Sequence, residues 1–329
     1  MGTRLLEVED LKTYFIKGSI MVKAVDGVSF HVDENETLGL VGESGCGKTV
    51  CCLSILRLVP KPAGRIVSGR ILFEGQDLLA MSESEMQKLR GSKISMILQD
   101  PMTSLNPVFT IGDQIEEAIA IHSKLNKANL VTKVIEMLRL VKIPSPEARI
   151  NGYPHQMSGG MKQRVVGAIC ISCRPQLLIA DEPTTSLDVT IQAQYLQLLK
   201  DIQRELGMAL IFITHDFGIV ANICDRVAIM YAGRIVESAP VRDIFYRPAH
   251  HYTASLLKAV PKLETSVDRL VSIPGQPPKL DSLPAGCKFA PRCPRSDDRC
   301  VQDEPPLLRI ADNHYVRCCH HIGSQNQSS

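Results

Sequence analysis

The segment at residues 38–49, Leu-Gly-Leu-Val-Gly-Glu-Ser-Gly-Cys-Gly-Lys-Thr, constrains the fold of this chain more than any other. A short apolar run leads into a glycine-rich turn, and apolar residues then recur at helical spacing. This strand–loop–helix context is the one that the pattern G-x-x-x-x-G-K-[ST] requires. Gly42, Gly47, Lys48 and Thr49 fill the pattern. Because glycines let backbone N–H groups turn toward one point at a helix N-terminus, the segment predicts a phosphate-binding loop.

The side chains of the loop suggest what it holds. Lys48 is expected to reach the β- and γ-phosphates of a nucleotide, and Thr49 to offer its hydroxyl to Mg²⁺. Ser44, Gly45 and Cys46 lie between the motif glycines and are predicted to surround the same phosphates. The alternative is a chance glycine turn, which the flanking strand and helix patterns disfavour.

Composition narrows the functional classes. With 329 residues, the chain has room for about two domains. Its net charge of +2 gives no electrostatic signature for nucleic acid, so we expect no nucleic-acid partner. No apolar run reaches the length of a bilayer span, and residues 1–10 lack the apolar segment of a signal peptide. We therefore expect a cytosolic protein whose role at a membrane, if any, comes through a partner.

A second group of candidate residues follows a continuous apolar run at residues 177–180, which is typical of a buried parallel strand. The run ends in Asp181 and Glu182, at the carboxyl edge of the predicted sheet. Asp181 is predicted to hold Mg²⁺ through water, and Glu182 to orient or deprotonate an attacking water. The alternative is an acidic loop after a strand.

Two more strand-like runs end in candidate residues. Residues 94–98 lead to Gln99, which can coordinate Mg²⁺ or hold the attacking water. Residues 209–213 lead to Thr214 and His215, and a histidine there can contact the γ-phosphate. Taken alone, Gln99 fits a solvent-facing residue and His215 a structural one. Their positions at strand ends favour the same sheet edge as Asp181.

The region between these runs carries helical patterns. Residues 111–142 show helical periodicity without a strand pattern, which predicts a helical insertion in an α/β chain. In the segment 157–164, Met-Ser-Gly-Gly-Met-Lys-Gln-Arg, Ser158 and Gly160 are candidates for a second anion cradle at a helix N-terminus. The same tripeptide also fits an ordinary helix cap.

The eleven cysteines form two groups. Six are scattered in apolar surroundings and are predicted to be buried small hydrophobes: Cys46, Cys51, Cys52, Cys170, Cys173 and Cys224. The other five crowd the end of the chain: Cys287, Cys293, Cys300, Cys318 and Cys319. In a reducing compartment such a cluster indicates metal rather than disulfides, and four thiolates can bind Zn²⁺ or an iron–sulfur cluster. Thiols without a ligand are the third possibility.

Taken in order, six motifs resemble those of the ATPase subunit of ATP-binding cassette (ABC) transporters. They are GESGCGKT at 42–49, the Gln99 loop, MSGGMKQR at 157–164, LLIADE at 177–182, SLD at 186–188 and His215. The resemblance covers about residues 5–258 and implies ATP as the substrate with Mg²⁺. It also implies a dimer in which Ser158 and Gly160 of one subunit close over ATP held by the phosphate loop of the other.

The resemblance assigns roles to matching positions. The implied catalytic residues are Lys48, Gln99, Glu182 and His215. The implied Mg²⁺ ligands are Thr49, Gln99 and Asp181. The aromatic residue that stacks on adenine in this family best matches Phe15, with the neighbouring Tyr14 as the fallback.

The fold implied is α/β, a P-loop NTPase of ABC type. It has a RecA-like core with a mixed sheet, an antiparallel β subdomain and a helical insertion, and a small irregular C-terminal domain follows. We expect the ABC ATPase domain to cover residues 1–258, with its helical subdomain at about 105–165, and the C-terminal extension to cover 259–329.

A narrower resemblance points to the oligopeptide/dipeptide permease branch. It rests on residues 99–107 and 180–194 and on the extension from His250, which includes Gly-Cys-Lys-Phe-Ala-Pro-Arg-Cys-Pro at 286–294. The branch implies import of di- or oligopeptides, with nickel or another small solute as the alternative cargo. The implied partners are a second, non-identical ABC ATPase, two transmembrane permease subunits and an extracytoplasmic solute-binding protein. The implied location is the cytoplasmic face of the cell membrane.

The resemblance also bears on the cysteine cluster. The spacing Cys287-x5-Cys293-x6-Cys300 is wider than in common structural zinc sites, and members of the branch with this tail are similar to cluster-binding subunits. Both points favour a [4Fe-4S] cluster with Cys318 as the fourth ligand, Cys319 being the alternative. Zinc bound by four thiolates is the other candidate.

Three other classes of protein fit less well. Chromosome-maintenance and repair ATPases of the superfamily need a long coiled-coil insertion, and heptads are absent between the phosphate loop and Ser158. Soluble translation-type cassette proteins are normally tandem, whereas this chain carries one set of motifs. A structural iron–sulfur protein regulated by ATP is the third class, and ATPase activity with permease subunits would argue against it.

Overall fold

The computed structural model describes residues 3–185, 187–260 and 272–323, without the side chains of residues 101 and 102. Ser186, which begins one of the six motifs, lies outside the described residues. The strands are β1 (Arg4–Lys17), β2 (Ile20–Asp33), β3 (Thr37–Val41), β4 (Gly64–Phe73), β5 (Gln76–Asp77), β6 (Ile94–Ile97), β7 (Leu177–Asp181), β8 (Ala209–Thr214), β9 (Arg226–Tyr231), β10 (Arg234–Pro240), β11 (Leu308–Ala311) and β12 (His314–Val316).

The helices divide into α-helices and short 3₁₀ turns. The α-helices are α1 (Lys48–Ile55), α2 (Glu83–Leu89), α3 (Pro101–Ser104), α4 (Ile111–His122), α5 (Lys127–Leu140), α6 (Pro146–Arg149), α7 (Gly159–Ile171), α8 (Val189–Leu206), α9 (Phe217–Ile223), α10 (Val241–Tyr246), α11 (His251–Ala259) and α12 (Asp298–Gln302). Two 3₁₀ helices cover Pro154–Gln156 and Ala290–Arg292. Within the described residues, no helix combines the length and the apolar character that crossing a bilayer requires.

The chain forms two compact units. The first contains the described residues up to 5, residues 32–37 and residues 80–213, and the second contains residues 6–31, residues 38–79 and the described residues from 214 onward. The division predicted at residue 258 follows different boundaries and remains a prediction.

The first unit contains parallel strands. β6 pairs with β7, and β7 pairs with β8, in the registers Ile97↔Ala180 and Asp181↔Ile213. All residues of β7 and β8 are buried, as expected for continuous apolar runs in a parallel sheet. The carboxyl ends of these strands therefore meet at one edge, as predicted from the apolar runs.

The helical insertion also lies in the first unit. Helices α4, α5 and α7 pack against one another. Thr110 caps α4 through a capping box, in which its hydroxyl accepts from the N–H of Asp113 at 3.1 Å. The apolar positions of α4 that gave the helical period, such as Ile111, Ile115 and Ile119, are buried. The predicted helical nature of residues 111–142 is confirmed.

The second unit contains an antiparallel sheet in the order β2-β1-β4-β5. Its other strands run in the order β11-β12-β10-β9-β3, with β3 parallel to β9 and the remaining pairs antiparallel. Strands β9 and β10 pair as an antiparallel hairpin. The C-terminal extension contributes β11 and β12, and β12 pairs with β10 in the register Glu237↔Val316. The extension is thus part of the sheet rather than only irregular chain.

Candidate functional site

The glycine-rich loop lies between the buried strand β3 and helix α1. A Cβ atom on Gly42 would lie 2.1 Å from the carbonyl oxygen of Met230, and a Cβ atom on Gly47 would lie 2.0 Å from that of Ala24. Gly47 also has a φ of +107°, in the left-handed region. Only glycine fits these positions, so the turn closes tightly against the surrounding backbone, as a phosphate cradle requires.

The Lys48 ammonium lies inside this loop. Its Nζ donates to the carbonyl oxygens of Gly42 at 2.8 Å and Glu43 at 3.1 Å, and it lies 3.8 Å from Sγ of Cys46. Lys48 is also the first residue of α1, so its charge and the partial positive charge of the helix N-terminus act at the same place. Thr49 follows, half-buried. A glycine cradle, an ammonium and a hydroxyl form a donor set that fits a nucleotide triphosphate with Mg²⁺.

The remaining loop residues contribute in different ways. Ser44 and Gly45 are exposed at the tip of the loop. Cys46 is buried, and its carbonyl oxygen accepts a hydrogen bond from the N–H of Gly233 at 2.9 Å. Burial raises the pKa of the Cys46 thiol despite the opposing effect of Lys48. The thiol is therefore neutral at pH 7, and Cys46 shapes the loop through its backbone.

In the first unit, the strand ends carry acidic and amide groups. Asp181 is buried at the end of β7, and Gln99 is exposed two residues beyond β6. The backbone of Glu182 has a φ of +43°, and its N–H donates to the carbonyl oxygen of Ile213 at 3.0 Å. The hydroxyl of Thr185 donates to Oε2 of Glu182 at 3.1 Å. Carboxylate and amide oxygens of this kind suit Mg²⁺ and a catalytic water.

Ser158 and Gly160 lie at the start of α7, also in the first unit. Ser158 is the N-cap residue, and its hydroxyl accepts from the N–H of Met161 at 3.3 Å. A Cβ atom on Gly160 would lie 2.9 Å from Cγ2 of Ile191, so the residue packs closely against α8. The cap explains part of the Ser-Gly-Gly sequence, and the helix N-terminus that it begins is the predicted anion cradle.

The two aromatic candidates for adenine stacking differ in their surroundings. Phe15 lies on β1, half-buried, opposite Gly64 of β4. The hydroxyl of Tyr14 instead donates to Oδ1 of Asp26 at 2.5 Å. Burial, followed by the hydrogen bond to Asp26, raises the pKa of Tyr14 to about 12. Tyr14 therefore has a polar structural contact, which favours Phe15 for stacking.

The predicted nucleotide residues divide between the two units. The second unit holds Phe15, Gly42, Ser44, Gly45, Cys46, Gly47, Lys48, Thr49 and His215, and the first holds Gln99, Ser158, Gly160, Asp181 and Glu182. His215 is exposed directly after the end of β8. Asp216 follows it and caps α9 by accepting from the N–H of Gly218 at 2.7 Å.

A pocket in the second unit is lined by all five cysteines of the extension: Cys287, Cys293, Cys300, Cys318 and Cys319. The N–H of Cys287 donates to the carbonyl oxygen of Cys300 at 2.8 Å. A Cβ atom on Gly286 would lie 2.3 Å from the same oxygen, so glycine permits this close approach. The structure thus brings together the cysteines that the sequence assigned to a metal site.

The thiols of this pocket affect one another. Burial raises the pKa of Cys300 to about 11 and that of Cys318 to about 12. The pKa of Cys318 is raised further by Cys287, Cys293 and Cys300, and the pKa of Cys300 is raised by Cys319. Several thiolates in poorly hydrated surroundings repel one another unless a cation is bound. The sulfur donor set therefore fits a soft metal centre.

The six scattered cysteines agree in part with their prediction as buried small hydrophobes. Cys46, Cys51, Cys52 and Cys224 are buried, whereas Cys170 and Cys173 are only half-buried.

Comparisons with known proteins cover nearly the whole chain. The family profile described as ABC transporter matches residues 25–185, and the one described as oligopeptide/dipeptide transporter, C-terminal region, matches residues 236–300. An oligopeptide transport ATP-binding protein of Bacillus subtilis is 52% identical over 96% of this chain and 88% of its own length. A dipeptide transport ATP-binding protein of Escherichia coli is 47% identical over 95% of this chain and 96% of its own length. The chain belongs to the ABC transporter family.

Solved structures support the fold of this ABC ATPase. A dimeric ATP-binding cassette in a post-hydrolysis state with ADP and Pi aligns over 72% of this chain and 99% of its own, with a TM-score of 0.65 and 22% identity. At that identity it shows the fold alone. The protein cbiO1 of Clostridium perfringens aligns over 74% of this chain and 92% of its own, with a TM-score of 0.65 and 28% identity. The predicted α/β fold of ABC type is confirmed, and the chain is an ATP-hydrolysing subunit of the oligopeptide/dipeptide branch.

An ion pair joins the extension of the ABC ATPase to the phosphate loop. The sequence patterns did not indicate this contact. Nη1 of Arg292 lies 2.7 Å from Oε2 of Glu43, and Nη2 lies 3.0 Å from Oε1. The N–H of Glu43 also donates to the hydroxyl oxygen of Tyr252 at 3.0 Å. Local motifs cannot reveal this contact because the paired residues are 249 positions apart.

A mixed set of possible metal ligands borders the thiol pocket. Ligand atoms of Asp297, Cys300 and His320 lie within 4.8 Å of one another. Nε2 of His320 lies 2.7 Å from Oδ2 of Asp297. Hydrogen bonding by the N–H of Cys300 lowers the pKa of Asp297 to about 2. In the sequence, His320 shortly after Cys318 is the signal that could have suggested this set. The set shares Cys300 with the thiol pocket.

Proposed function

We propose that this ABC ATPase powers the import of dipeptides or oligopeptides through a membrane permease. The observation that carries the proposal is the joint match of the ATPase motifs and of residues 236–300, the region specific to oligopeptide/dipeptide transporters. The relatives of Bacillus subtilis and Escherichia coli support it, because their names specify oligopeptide and dipeptide transport. Nickel or another small solute is the alternative cargo.

Uptake measurements test the cargo. The full chain would be co-expressed with its permease subunits and binding protein, and uptake of labelled dipeptides, longer peptides and Ni²⁺ would be compared. We expect ATP-dependent uptake of one peptide class and none of Ni²⁺. Ni²⁺ uptake without peptide uptake would replace the proposed cargo, and the absence of any ATP-dependent uptake would favour a non-transport ABC ATPase.

In the proposed site, the nucleotide binds first through its phosphates and its base. Lys48 and the loop between Gly42 and Gly47 hold the β- and γ-phosphates with an ammonium and backbone groups. Phe15 stacks on the adenine. Phe15 is half-buried on β1, so the residue is not wholly enclosed, which supports this role.

Hydrolysis requires groups at the strand ends. Thr49, Gln99 and Asp181 would hold Mg²⁺, directly or through water, and the ion would neutralise charge on the phosphates. Glu182 takes a proton from the attacking water, and His215 stabilises the charge that develops on the γ-phosphate. The positions of Asp181 and Glu182 at the end of β7 support these roles.

The exchange Glu182→Gln tests the role of the general base. Because the amide cannot accept the proton, we expect turnover to fall by about a hundredfold or more while ATP binding is retained. The matched control is Glu136→Gln, on the exposed surface of α5.

The exchange Lys48→Ala tests the phosphate loop, and this variant should lose tight ATP binding. Near-normal turnover in Glu182→Gln would refute the assignment, and normal ATP affinity in Lys48→Ala would refute the phosphate loop.

The proposed working unit contains two ATPase subunits. Ser158 and Gly160 of one subunit close over the nucleotide bound to the other, and the second subunit is a non-identical ABC ATPase. Two transmembrane permease subunits and an extracytoplasmic solute-binding protein complete the transporter, which places this chain at the cytoplasmic face of the cell membrane. Co-purification from membranes tests these partners, and recovery of a homodimer would overturn the non-identical pairing.

We also propose that the extension binds a [4Fe-4S] cluster through Cys287, Cys293, Cys300 and Cys318. The shared pocket and its sulfur donor set support this assignment. The cluster would supply structural or regulatory cross-linking of the extension. Zinc bound by the same thiolates is the alternative. In this proposal the ATPase domain spans residues 1–258, with its helical subdomain at about 105–165, and the extension spans 259–329.

Anaerobic purification tests the metal centre. We expect a brown protein with visible thiolate–iron absorption and with both iron and acid-labile sulfide. Cys318→Ser should lower the iron content strongly, whereas the matched variant Cys319→Ser should retain it. A colourless, zinc-containing protein would favour the zinc alternative, and equal iron loss in both variants would contradict the choice of Cys318.

A further inference from the structure

The side chain of Arg292 links the turn between Cys287 and Cys293 to the phosphate loop, within the second unit. Arg292 is the last residue of the 3₁₀ helix Ala290–Arg292 and directly precedes Cys293. Its guanidinium makes a two-pronged contact with the carboxylate of Glu43, at 2.7 Å and 3.0 Å. Only 4% of the Arg292 side chain is exposed, against 27% of the Glu43 side chain, so the guanidinium is shielded from solvent and the carboxylate partly so. A bidentate arginine–carboxylate pair fixes both position and direction.

Other contacts hold the guanidinium in one orientation. Its centre lies 5.8 Å from the ring centroid of Tyr231 and 6.0 Å from that of Phe289. Nη1 also lies 3.3 Å from the Tyr231 hydroxyl, and Nε donates to the carbonyl oxygen of Pro274 at 3.0 Å. The guanidinium therefore has aromatic rings and hydrogen-bond acceptors as neighbours, and these contacts hold it toward Glu43.

Glu43 is in turn held from three sides. Arg292 binds its carboxylate, the hydroxyl of Tyr252 accepts from its N–H at 3.0 Å, and Lys48 donates to its carbonyl oxygen at 3.1 Å. Glu43 directly follows Gly42 of the phosphate cradle. A carboxylate at this position repels the phosphates of ATP unless a cation neutralises it. Arg292 supplies that cation.

Backbone hydrogen bonds connect the turn that contains Arg292 to the thiol pocket. The N–H of Ala290 donates to the carbonyl oxygen of Cys287 at 3.0 Å, and the N–H of Cys293 donates to that of Ala290 at 3.2 Å. The turn that presents Arg292 thus begins and ends at a cysteine of the pocket. Metal bound at both ends would fix this turn, and with it the guanidinium.

We propose that Arg292 is a positioning residue for ATP binding, which neutralises Glu43 and couples the state of the thiol pocket to the phosphate loop. The part of this inference that concerns metal rests on the proposed metal centre of the extension. The part that concerns Glu43 rests only on the ion pair and on the phosphate loop.

The first test separates electrostatic positioning from a general packing role. In the full chain, we expect Arg292→Ala to weaken MgATP binding by about tenfold or more, because it leaves the carboxylate of Glu43 uncompensated. Adding Glu43→Gln should restore most of the lost affinity, since it removes the charge that Arg292 neutralised. The matched control is Arg309→Ala, whose side chain is 59% exposed and pairs with Asp312.

Three outcomes decide the electrostatic part. Restored affinity in the double variant supports the proposal, because a packing defect would not be repaired by a second substitution. Unchanged affinity in Arg292→Ala, or a double variant no better than the single one, overturns it. Lys48→Ala is measured in parallel. If this variant also binds ATP normally, the phosphate-loop assignment fails, and the result for Arg292→Ala no longer tests Arg292 alone.

The second test addresses the coupling. Removal of metal by an anaerobic chelator should weaken ATP binding in the wild-type protein and have a smaller effect in Arg292→Ala. By reciprocity, bound ATP should raise the affinity of the wild-type protein for the metal by the same factor. Equal effects of the chelator on both proteins would overturn the route through Arg292. A protein purified without metal would overturn the metal centre and the coupling, while the Glu43 rescue would still decide the positioning role.

Discussion

The phosphate loop attracts an anion with backbone groups and one lysine, whereas the thiol pocket offers sulfur atoms to a cation. The loop is one short segment, in which Gly42 and Gly47 allow close contact with neighbouring backbone. The pocket draws its cysteines from residues 287 to 319 and depends on the pairing of β12 with β10. The loop should therefore respond to small changes of its own backbone, and the pocket to changes in distant packing.

The largest effect should come from Gly47→Ala, which tests the backbone side of this comparison. The new Cβ atom would lie 2.0 Å from the carbonyl oxygen of Ala24, in a residue with a φ of +107°. The loop must then move, and we expect ATP affinity to fall by about a hundredfold or more. Equilibrium titration with MgATP measures this, and the proposed metal centre of the pocket should be unaffected.

The matched control for Gly47 is Gly45→Ala. Gly45 also has a positive φ, +79°, but a Cβ atom there would meet nothing within 4 Å. Backbone strain alone should lower ATP affinity by about tenfold at most. Equal losses in the two variants would show that strain, rather than close approach, limits the loop.

A smaller effect should come from Glu237→Gln, which tests the packing side. The carboxylate of Glu237 is fully buried and accepts from the N–H groups of Ala249 at 2.7 Å and His250 at 2.8 Å, with Nε2 of His314 also at 2.8 Å. An amide accepts through one oxygen only, so we expect the free energy of unfolding to fall by about 2 kcal/mol. Denaturant unfolding measures this change, and a chelator should remove the proposed metal centre faster.

Glu136→Gln is the control for this exchange, because Glu136 is half-exposed in a surface pair with Lys133. It should change the free energy of unfolding by less than about 0.5 kcal/mol. If Glu237→Gln were no more destabilising than this control, the buried carboxylate would not be what holds β12 in place.

The smallest effects distinguish two neighbouring aromatic residues. Phe15→Ala should weaken ATP binding by about tenfold through lost stacking, and leave the pocket unaffected. Tyr14→Phe removes the hydrogen bond to Asp26, so it should lower the free energy of unfolding by about 1 kcal/mol and leave ATP affinity unchanged. The opposite pattern, with ATP affinity sensitive to Tyr14, would assign stacking to Tyr14.

Tyr14 is also connected to the extension. Asp26 accepts its hydroxyl hydrogen bond and pairs with Nη2 of Arg234 at 3.2 Å, and Nε of Arg234 lies 2.8 Å from Glu304 of the extension. The stability change in Tyr14→Phe would therefore report on how the extension is held, and the affinity change in Phe15→Ala on how the nucleotide is held.

Features that depend on neighbouring residues could be predicted from the sequence. The phosphate loop is encoded in residues 42–49, and β7 and β8 are continuous apolar runs that a buried parallel strand requires. The helical period of residues 111–142 likewise gave α4 and α5. Strand ends then placed Asp181 and Gln99 at one sheet edge, because parallel strands share their direction.

Features that depend on distant pairing could not be predicted. β11 and β12 are short, and most residues of β11 are exposed, so neither carries a clear period of two. The Glu43–Arg292 pair joins residues 249 positions apart. The ranking of Phe15 above Tyr14 came only from the family resemblance, since adjacent residues of a strand differ in the face they occupy and in the contacts made there.

The pairing of β12 with β10 has a consequence for how the protein is made. Glu237 leaves the ribosome 77 residues before His314, its partner in the finished sheet. At ordinary rates of translation this interval lasts roughly 4 to 15 seconds. During that time β10 exposes an unpaired edge, the kind of surface that chaperones cover and that invites aggregation. This edge of β10 remains unpaired until the extension that contains β12 has been synthesised.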